Sequence, residues 1–447
     1  MRHDYISINF TDKIMHRYFL AILLSCCCAI EASAQTPEAL QAKVNALAAA
    51  NEERVIEWRR DIHANPELGN REFRTAALVA DHLRSLEMEV RTEIAHTGVV
   101  GILRGGSPGP VVALRADMDA LPVTELADVP FASKVRTEYN GSMVGVMHAC
   151  GHDNHVAIAM GAAHVLASMR EDLPGTVMFI FQPAEEGAPA GEEGGAELML
   201  KEGVFDDPTP EAIFGLHVWP ARVGEVGYRS GPFMASANGL EIKVTGRQTH
   251  GAIPWGGVDP IVVASQIVLG LQTVVSRQLD ATASPSIITI GSINGGVRGN
   301  IIPDEVMMTG TVRTFLPEVF TEIEERIHHT AMHIAEAAGA KAEVKILHGV
   351  PVTANDPDLT ERMLPTLRRV AGPDNVVEMR RRTGAEDFSY FANAVPGLYV
   401  FLGVTPEDRD PETAPPNHSP YFYADEKALL LGVRLMSTLA LEYLAGN

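Results

Sequence analysis

The first half of the chain alternates helical segments with short apolar runs. Apolar residues recur at helical spacing from about 51 to 86, as in Val55, Trp58 and Ile62. Four short apolar runs follow, at 99–103, 111–114, 177–181 and 212–216. Further helical segments separate these runs, at 155–169 and 194–202. Such runs are typical of a mostly parallel sheet covered by helices, so the first half is predicted to be α/β.

The pattern changes near Gly231-Pro232 and changes back near residue 350. Between these points it predicts strand 239–246, helix 258–279, strand 286–292, strand 305–315, helix 317–338 and strand 341–349. This βαββαβ order is that of a ferredoxin-like unit. Residues 351–447 return to alternating helices and apolar runs. We therefore predict a discontinuous α/β catalytic domain, residues 35–232 and 351–447, interrupted by an inserted domain, residues 233–350.

Residues 1–34 have the pattern of a secretory signal peptide. Lys13 and Arg17 precede an apolar run that ends in Ala32-Ser33-Ala34. This arrangement predicts cleavage after Ala34 and a secreted or periplasmic protein. Two alternatives are an N-terminal core helix and a lipoprotein anchor at Cys26, the latter disfavoured by the Leu24-Ser25 that precedes it.

Charge and cysteine content narrow the function classes. The chain has 36 basic and 57 acidic residues, a net charge of −21, so neither nucleic acid nor an anionic membrane is an expected partner. Export would remove Cys26, Cys27 and Cys28 and leave Cys150 alone. In an oxidising compartment a lone thiol is either buried and inert or held by a metal.

Metal-ligating residue types follow the predicted strands or lie in loops. They are Asp117 and Asp119, Cys150 and His152 in "MHACGHDNH", Glu185 and Glu186, His217, and His418 in "APPNHSPYF". A single histidine or carboxylate of this kind is usually a solvated or satisfied side chain. The combination is more specific, because thiolate, imidazole and carboxylate at strand ends can hold a divalent cation and leave a second carboxylate to accept a proton.

Six motifs carry a resemblance to a known family. They are "RADMDALP", "MHACGHD", "PAEEG", "GLHV", "HGAIPWGGVDP" and "GNIIPDE". In this order, over about 51–440, the chain resembles the co-catalytic metal amidohydrolases that include hippurate hydrolase, N-acyl-amino-acid hydrolases and auxin-conjugate hydrolases. The resemblance implies hydrolysis of the amide bond of N-acyl amino acids. It also implies two divalent metal ions per subunit, zinc or manganese, with cobalt or nickel also possible.

The same resemblance assigns roles to individual residues. The metal ligands would be Cys150, in a bridging position, with His152, Glu186, His217 and His418. Glu185 would be the general base, and Asp119 would orient a ligand histidine. We assign His148 and His155 to structural roles or to contacts with the metal ligands, rather than to the metal itself.

The inserted domain resembles the lid and dimerisation domain of that family, which implies a homodimer. His250 would reach the scissile carbonyl, while Asn300 and Arg313 would lie near the substrate carboxylate. Arg313 could equally be a surface residue of a strand. Trp255 stands where some relatives have histidine, so the acyl group cannot be transferred by analogy.

Two rival functions remain at this stage. One is a dipeptidase or carboxypeptidase of the same fold. The other is a catalytically silent binding protein, which is disfavoured because every candidate ligand is retained together with Glu185.

Overall fold

A computed structural model describes Met1 and residues 37–446. The predicted signal peptide, with Cys26, Cys27 and Cys28, lies outside these residues. The chain divides between Lys43 and Val44 into two units. The first contributes to the described chain only the start of helix α1 (Pro37–Ala50), and the second contains all the elements below.

Helices and short strands alternate before and after the inserted segment. The elements before it are α2 (Glu52–Ala64), α3 (Phe73–Ser85), β1 (Glu89–Ile94), β2 (Gly98–Arg104), β3 (Ser107–Asp117), β4 (Arg136–Tyr139), β5 (Ser142–Gly145), α4 (His152–Ala167), β6 (Pro174–Gln182), α5 (Gly195–Lys201), β7 (Ala212–Arg222), β8 (Val226–Tyr228) and β9 (Gly231–Met234). The inserted segment contains β10 (Ala237–Thr245), β11 (Thr249–His250), α6 (Pro260–Thr273), β12 (Ile287–Asn294), β13 (Ile301–Ile302), β14 (Glu305–Arg313), α7 (Pro317–Ala337) and β15 (Lys341–Val350). The elements after it are β16 (Thr353–Asn355), α8 (Pro357–Ala371), β17 (Val376–Glu378), α9 (Phe388–Ala394), β18 (Gly397–Thr405) and α10 (Lys427–Leu444).

An eight-stranded mixed sheet forms the larger core, with the order β1-β2-β6-β3-β7-β18-β8-β17. Its centre, β6-β3-β7-β18, is parallel, so the α/β class is confirmed. The prediction of a mostly parallel sheet is wrong in two places: β1, β2 and β6 are antiparallel at one edge, and β8 is antiparallel to β18. For β1 the reason is local: a tight connection through Ala95 and His96, both with positive φ, folds β1 back onto β2.

Helix α4 packs closely against its neighbours on one face of this sheet. A Cβ on Gly161 would lie 2.7 Å from Cγ2 of Val433 on α10 and 2.9 Å from Cγ2 of Val55 on α2. Glycine at this position therefore lets three helices approach one another. This packing fixes the start of α4, which lies at the functional edge of the sheet.

The inserted segment has its own sheet, with the order β12-β14-β10-β15 and antiparallel pairing throughout. Residues of β10 alternate between buried and half-buried, and Leu240, Ile242 and Val244 pack with α6 and α7. The predicted helix 258–279 is observed as α6 followed by a π-helical turn at Val274–Gln278. One face of this sheet is therefore covered by two helices.

Candidate metal centre

Candidate catalytic side chains lie at one edge of the eight-stranded sheet. Asp117 ends β3, and Glu185 and Glu186 follow the end of β6. His217 lies on β7, the other neighbour of β3. Because β6, β3 and β7 are parallel and adjacent, their carboxyl-terminal parts bring these side chains together.

Cys150 and His152 flank the glycine that precedes helix α4. Gly151 has a φ of +92°, and a Cβ there would lie 2.4 Å from Cγ2 of Val218. Both the backbone conformation and the close approach therefore favour glycine at this position. The resulting turn presents the thiol and the imidazole to the same site.

His418 approaches from the loop that precedes α10. Its backbone N–H donates to the carbonyl oxygen of Ala149 at 2.8 Å, and Nδ2 of Asn417 donates to the carbonyl oxygen of Cys150 at 2.9 Å. His418 has a φ of +70°, a conformation that residues with a side chain rarely adopt and that is often held in place at functional sites. The loop is thus tied directly to the "MHACGHD" motif.

Two groups of possible ligand atoms share Cys150. One consists of Cys150, His152 and His217, and the other of Cys150, Glu186 and His418. Within each group all the ligand atoms lie within 4.8 Å of one another. Sγ of Cys150 lies 3.3 Å from Nε2 of His217, and Nε2 of His418 lies 2.9 Å from Oε1 of Glu186. The thiol therefore occupies a bridging position between two sets of donors.

The surroundings of His152 suit a cation. Its Nδ1 lies 3.2 Å from Oδ1 of Asp119, whose Oδ2 accepts the backbone N–H of Glu186 at 3.0 Å. Its Nε2 is buried, has no hydrogen-bond partner in the described chain and lies 3.9 Å from Oε2 of Glu185. Burial alone would lower the pKa of His152, but Asp117 and Asp119 raise it to about 10. Surroundings that favour a proton on Nε2 also favour a metal ion there.

His217 and His155 differ in which ring nitrogen is free. Nδ1 of His217 lies 2.7 Å from the carbonyl oxygen of Val218, so that N–H donates to it and Nε2 faces Cys150. Nδ1 of His155 lies 2.5 Å from Oδ1 of Asp117, and its Nε2 accepts the N–H of Val218 at 2.9 Å. Both nitrogens of His155 are therefore engaged, which supports the structural role expected for it.

His148 is fully buried and belongs to neither group that shares Cys150. Neither ring nitrogen has a hydrogen-bond partner in the described chain, and burial lowers its pKa to about 3. It is therefore a neutral packing residue behind the motif.

Glu185 lies beside both donor groups and is almost buried. Its Oε1 accepts the backbone N–H of Asp387 at 3.4 Å. Burial raises its pKa well above the usual range, and the carboxylates of Glu386 and Glu186 raise it further. A carboxylate with a raised pKa holds a proton more readily, as a general base must during proton transfer.

A buried ionic network behind Glu185 was not predicted from the sequence. Nη2 of Arg115 donates to Oε1 of Glu386 at 2.9 Å and to Oδ1 of Asp387 at 3.0 Å. Nη1 of Arg115 donates to Oδ2 of Asp117 at 2.7 Å. The adjacent acidic pair in "TGAEDFS" is the sequence signal that could have found it, since it parallels the Glu185-Glu186 pair.

A cavity of about 510 Å³ connects the donors with the inserted segment. It is lined by Cys150, Glu185 and Glu186, and also by Arg313. Arg313 is half-buried, burial lowers its pKa, and no ion pair is found for it in the described part of the chain. Its guanidinium is therefore available to an anionic group in this cavity.

His250 and Asn300 lie elsewhere. Both are exposed, and they line a separate cavity of about 410 Å³ together with Arg298. Nδ1 of His250 accepts the backbone N–H of Ala252 at 2.9 Å. Within one subunit the structure does not bring these two residues to the donor groups, and their roles stay predictions.

Comparisons with known proteins agree with the resemblance seen in the motifs. Residues 113–442 match Peptidase family M20/M25/M40. The chain is 40% identical to thermostable carboxypeptidase 2 of Saccharolobus solfataricus over 88% of this chain and 96% of that protein. It is 38% identical to N-acetyl-L-cysteine deacetylase of Bacillus subtilis over 85% of each.

A solved structure is also similar. The YxeP protein of Bacillus subtilis, described as a dinuclear metal-binding peptidase from the M20 family, has a TM-score of 0.74 and 35% identity, covering 89% of this chain and 99% of that one. The chain therefore belongs to the M20 peptidase family and is a metal-dependent hydrolase that acts on amide or peptide bonds.

Proposed function

We propose that the protein hydrolyses the amide bond of N-acyl amino acids at a pair of divalent cations. The observation that carries this proposal is the sharing of Cys150 by two donor groups, with Glu185 beside both of them. The relatedness to an N-acetyl amino-acid deacetylase supports the substrate class.

In this proposal His152 and His217 would hold one cation, Glu186 and His418 would hold the other, and Cys150 would contribute to both. The donor chemistry fits, because thiolate and imidazole suit zinc while the carboxylate also suits manganese, cobalt or nickel. When bound, the metal pair would polarise the amide carbonyl and make water more acidic.

The protein side chains would move the proton and hold the substrate. Glu185 takes a proton from the attacking water and passes it to the leaving amine nitrogen. Arg313 binds the carboxylate of the amino acid, to which a guanidinium can donate two parallel hydrogen bonds. Asp119 fixes the ring of His152 through Nδ1 and leaves Nε2 free for the cation.

The inserted segment would act as a ferredoxin-like lid and dimerisation domain. Helix α6 supports this, because Ile261, Val262 and Leu269 are 43%, 52% and 70% exposed. The segment Pro260–Gln278 is long and apolar enough to cross a membrane by length and composition, and only 33% of its apolar 18-residue stretch is buried. A second subunit packed on this face would cover it, and the exposed His250 and Asn300 would then serve the partner's site.

Residues 1–34 would direct export. Lys13 and Arg17 before the apolar run, and Ala32-Ser33-Ala34 after it, support a signal peptide that is cleaved after Ala34. The amino-terminal sequence of the secreted protein would identify the cleavage point.

A second candidate function is a carboxypeptidase, favoured by the 40% identity to a thermostable carboxypeptidase. The test is metal analysis of the purified protein, followed by a screen of N-acetyl- and N-benzoyl-amino acids against free dipeptides and blocked peptides. We expect two divalent ions per chain and faster hydrolysis of the N-acyl amino acids. Faster hydrolysis of peptides would favour the carboxypeptidase.

A further inference from the structure

A second cavity, of about 530 Å³, lies beside the candidate metal centre. It is lined by parts of four segments, 66–73, 119–122, 135–146 and 186–189. Glu186 lines this cavity and also the one that holds Arg313, so both cavities border the same candidate metal ligand. A substrate bound at the donors could therefore extend in two directions, one toward Arg313 and the other into the second cavity.

One wall of the second cavity is the β4–β5 hairpin. Asn140 and Gly141 connect its strands with φ values of 50° and 75°, as in a tight hairpin turn. The chain after the hairpin is anchored where the backbones of Leu121 and Met147 exchange two hydrogen bonds of 3.0 Å. Because Met147 begins the "MHACGHD" motif, the wall is held in a fixed position relative to Cys150 and His152.

The lining is largely apolar, and its charged side chains, apart from the exposed Glu138, have partners within the described chain. The apolar residues are Pro66, Leu68, Phe73, Ala120, Leu121, Pro122, Val135, Tyr139, Val146 and Pro189. Arg71 is paired with Glu192 at 2.6 Å, and Nη2 of Arg136 donates to the carbonyl oxygen of Met143 at 3.0 Å. The carboxylate of Glu67 accepts the backbone N–H groups of the residues that begin α3. Glu138 and Arg136 are both exposed to water, so the contacts that the cavity offers a ligand are mainly apolar.

We propose that the second cavity binds the acyl group of the substrate, and that this group is neutral, apolar and much larger than acetyl. Its volume lies in the range of roughly 300–1,000 Å³ that is typical of pockets for drug-sized ligands, whereas an acetyl group would leave most of it empty. Phe73 and Tyr139, which are 63% and 39% exposed, offer aromatic rings to an aryl group. The inference rests on the proposed function and specifies its substrate class.

The test compares acyl groups on one amino acid. The kcat/KM of the metal-loaded enzyme is measured for the acetyl, benzoyl, phenylacetyl and octanoyl derivatives. We expect the larger acyl groups to be preferred over acetyl by roughly tenfold or more. Thr137→Trp, which fills the cavity from β4, should lower kcat/KM for the larger groups by roughly tenfold and that for acetyl by less than about twofold.

Two further variants complete the design. Met143→Trp is the matched control, because Met143 is 60% exposed on β5 and does not line the cavity, so the acyl preference should not change. Tyr139→Ala should lower kcat/KM for the benzoyl and phenylacetyl derivatives more than that for the octanoyl derivative, because it removes a ring from the wall.

The outcomes separate the two proposals. Equal losses on all acyl groups in Thr137→Trp, or an unchanged acyl preference in both cavity variants, would overturn the assignment of the cavity. Hydrolysis of peptides without hydrolysis of any N-acyl amino acid would overturn the proposed function itself.

Discussion

At the residue scale, the neighbours of Cys150 decide what the thiol can do. Burial raises its pKa well above the usual range, and the carboxylates of Glu186 and Glu185 raise it further. Without a cation this thiol is therefore neutral and unreactive. Divalent cations at the two donor groups, one shared with His217 and the other with Glu186, would reverse the balance and stabilise the thiolate.

The first prediction replaces this thiol. Cys150→Ser should lose bound metal and lower kcat/KM by at least about 100-fold, because a neutral hydroxyl is a poor bridging ligand. Cys150→Asp should keep part of the metal and part of the activity, because a carboxylate can bridge two cations. Metal content per chain and kcat/KM are measured together. Full metal content in the serine variant would show that Cys150 only fills space.

The second prediction concerns stability in acid. His82 is buried, its Nε2 lies 3.0 Å from the carbonyl oxygen of Met160, and burial lowers its pKa to about 4. Between pH 6.5 and 4 the unfolded state, in which the histidine has a pKa of about 6.5, binds more protons than the folded state does. The contribution of neutral His82 to the free energy of unfolding is therefore complete above pH 6.5. It is lost as the pH falls toward 4, by up to about 3 kcal/mol.

The measurement is the free energy of unfolding in urea at pH 7 and pH 5. In His82→Gln, which keeps an N–H donor for Met160, the fall between the two pH values should be smaller than in the wild type. The control is His329→Gln at an exposed position. In this variant the fall in the free energy of unfolding between pH 7 and pH 5 should equal that of the wild type. An identical fall in His82→Gln would show that His82 titrates normally.

At the residue scale, the sequence indicated candidate donors that the structure brings together, but it did not indicate the buried network behind them. Cys150, His152 and Glu186 stand in short motifs whose residue types already indicate metal chemistry. Arg115 contacts Glu386 across 271 positions of the chain, and no local pattern indicates which buried carboxylate a distant arginine will meet. His250 and Asn300 could be named from the resemblance, but the described subunit alone keeps them away from the donors.

At the element scale, helix α4 begins at His152, which is itself a candidate metal ligand. Gly151 allows the chain to turn between Cys150 and His152, and Gly161 allows α4 to pack against α2 and α10. The donors are thus positioned by backbone conformations and close packing. An apolar periodicity can predict such a helix but cannot fix its first residue.

The third prediction tests this turn. Gly151→Ala should destabilise the fold by roughly 1–3 kcal/mol and weaken metal binding, because the new Cβ would contact Val218 at a φ of +92°. Gly141→Ala is the matched control, because Gly141 also has a positive φ, of 75°, but open space around it. The control should therefore keep its metal affinity. Equal metal affinity in both variants would contradict a positioning role for Gly151.

The helices and parallel central strands were predictable because their apolar periods differ clearly. The antiparallel β1 was not predicted, since its pairing depends on the positive φ of Ala95 and His96. The same holds for the β4–β5 hairpin, whose short and mostly exposed strands lack an apolar run.

At the scale of the whole molecule, the exposed His250 raises the question of how many subunits build one site. The fourth prediction is that each His250 serves the partner's donors. A mixed dimer of Glu185→Gln and His250→Ala would then have one complete site of two. With random mixing, about a quarter of all sites should recover activity from two nearly inactive parents.

The two variants are co-expressed with different tags, and turnover per site is measured in the purified mixed dimer. Turnover no higher than that of the parents, in a dimer shown to be mixed, would rule out a shared site. A protein that is monomeric in solution would do so as well.

The measurement that tests the central claim most directly combines metal content and turnover in Glu185→Gln, with an N-acyl amino acid as the substrate. Glutamine keeps the shape of the side chain but cannot take the proton from water or return it to the leaving amine. The account predicts two divalent ions per chain in both the wild type and the variant, and a kcat lower in the variant by roughly three orders of magnitude or more. Near-normal turnover in Glu185→Gln, or a fully active wild type with no bound metal, would contradict it.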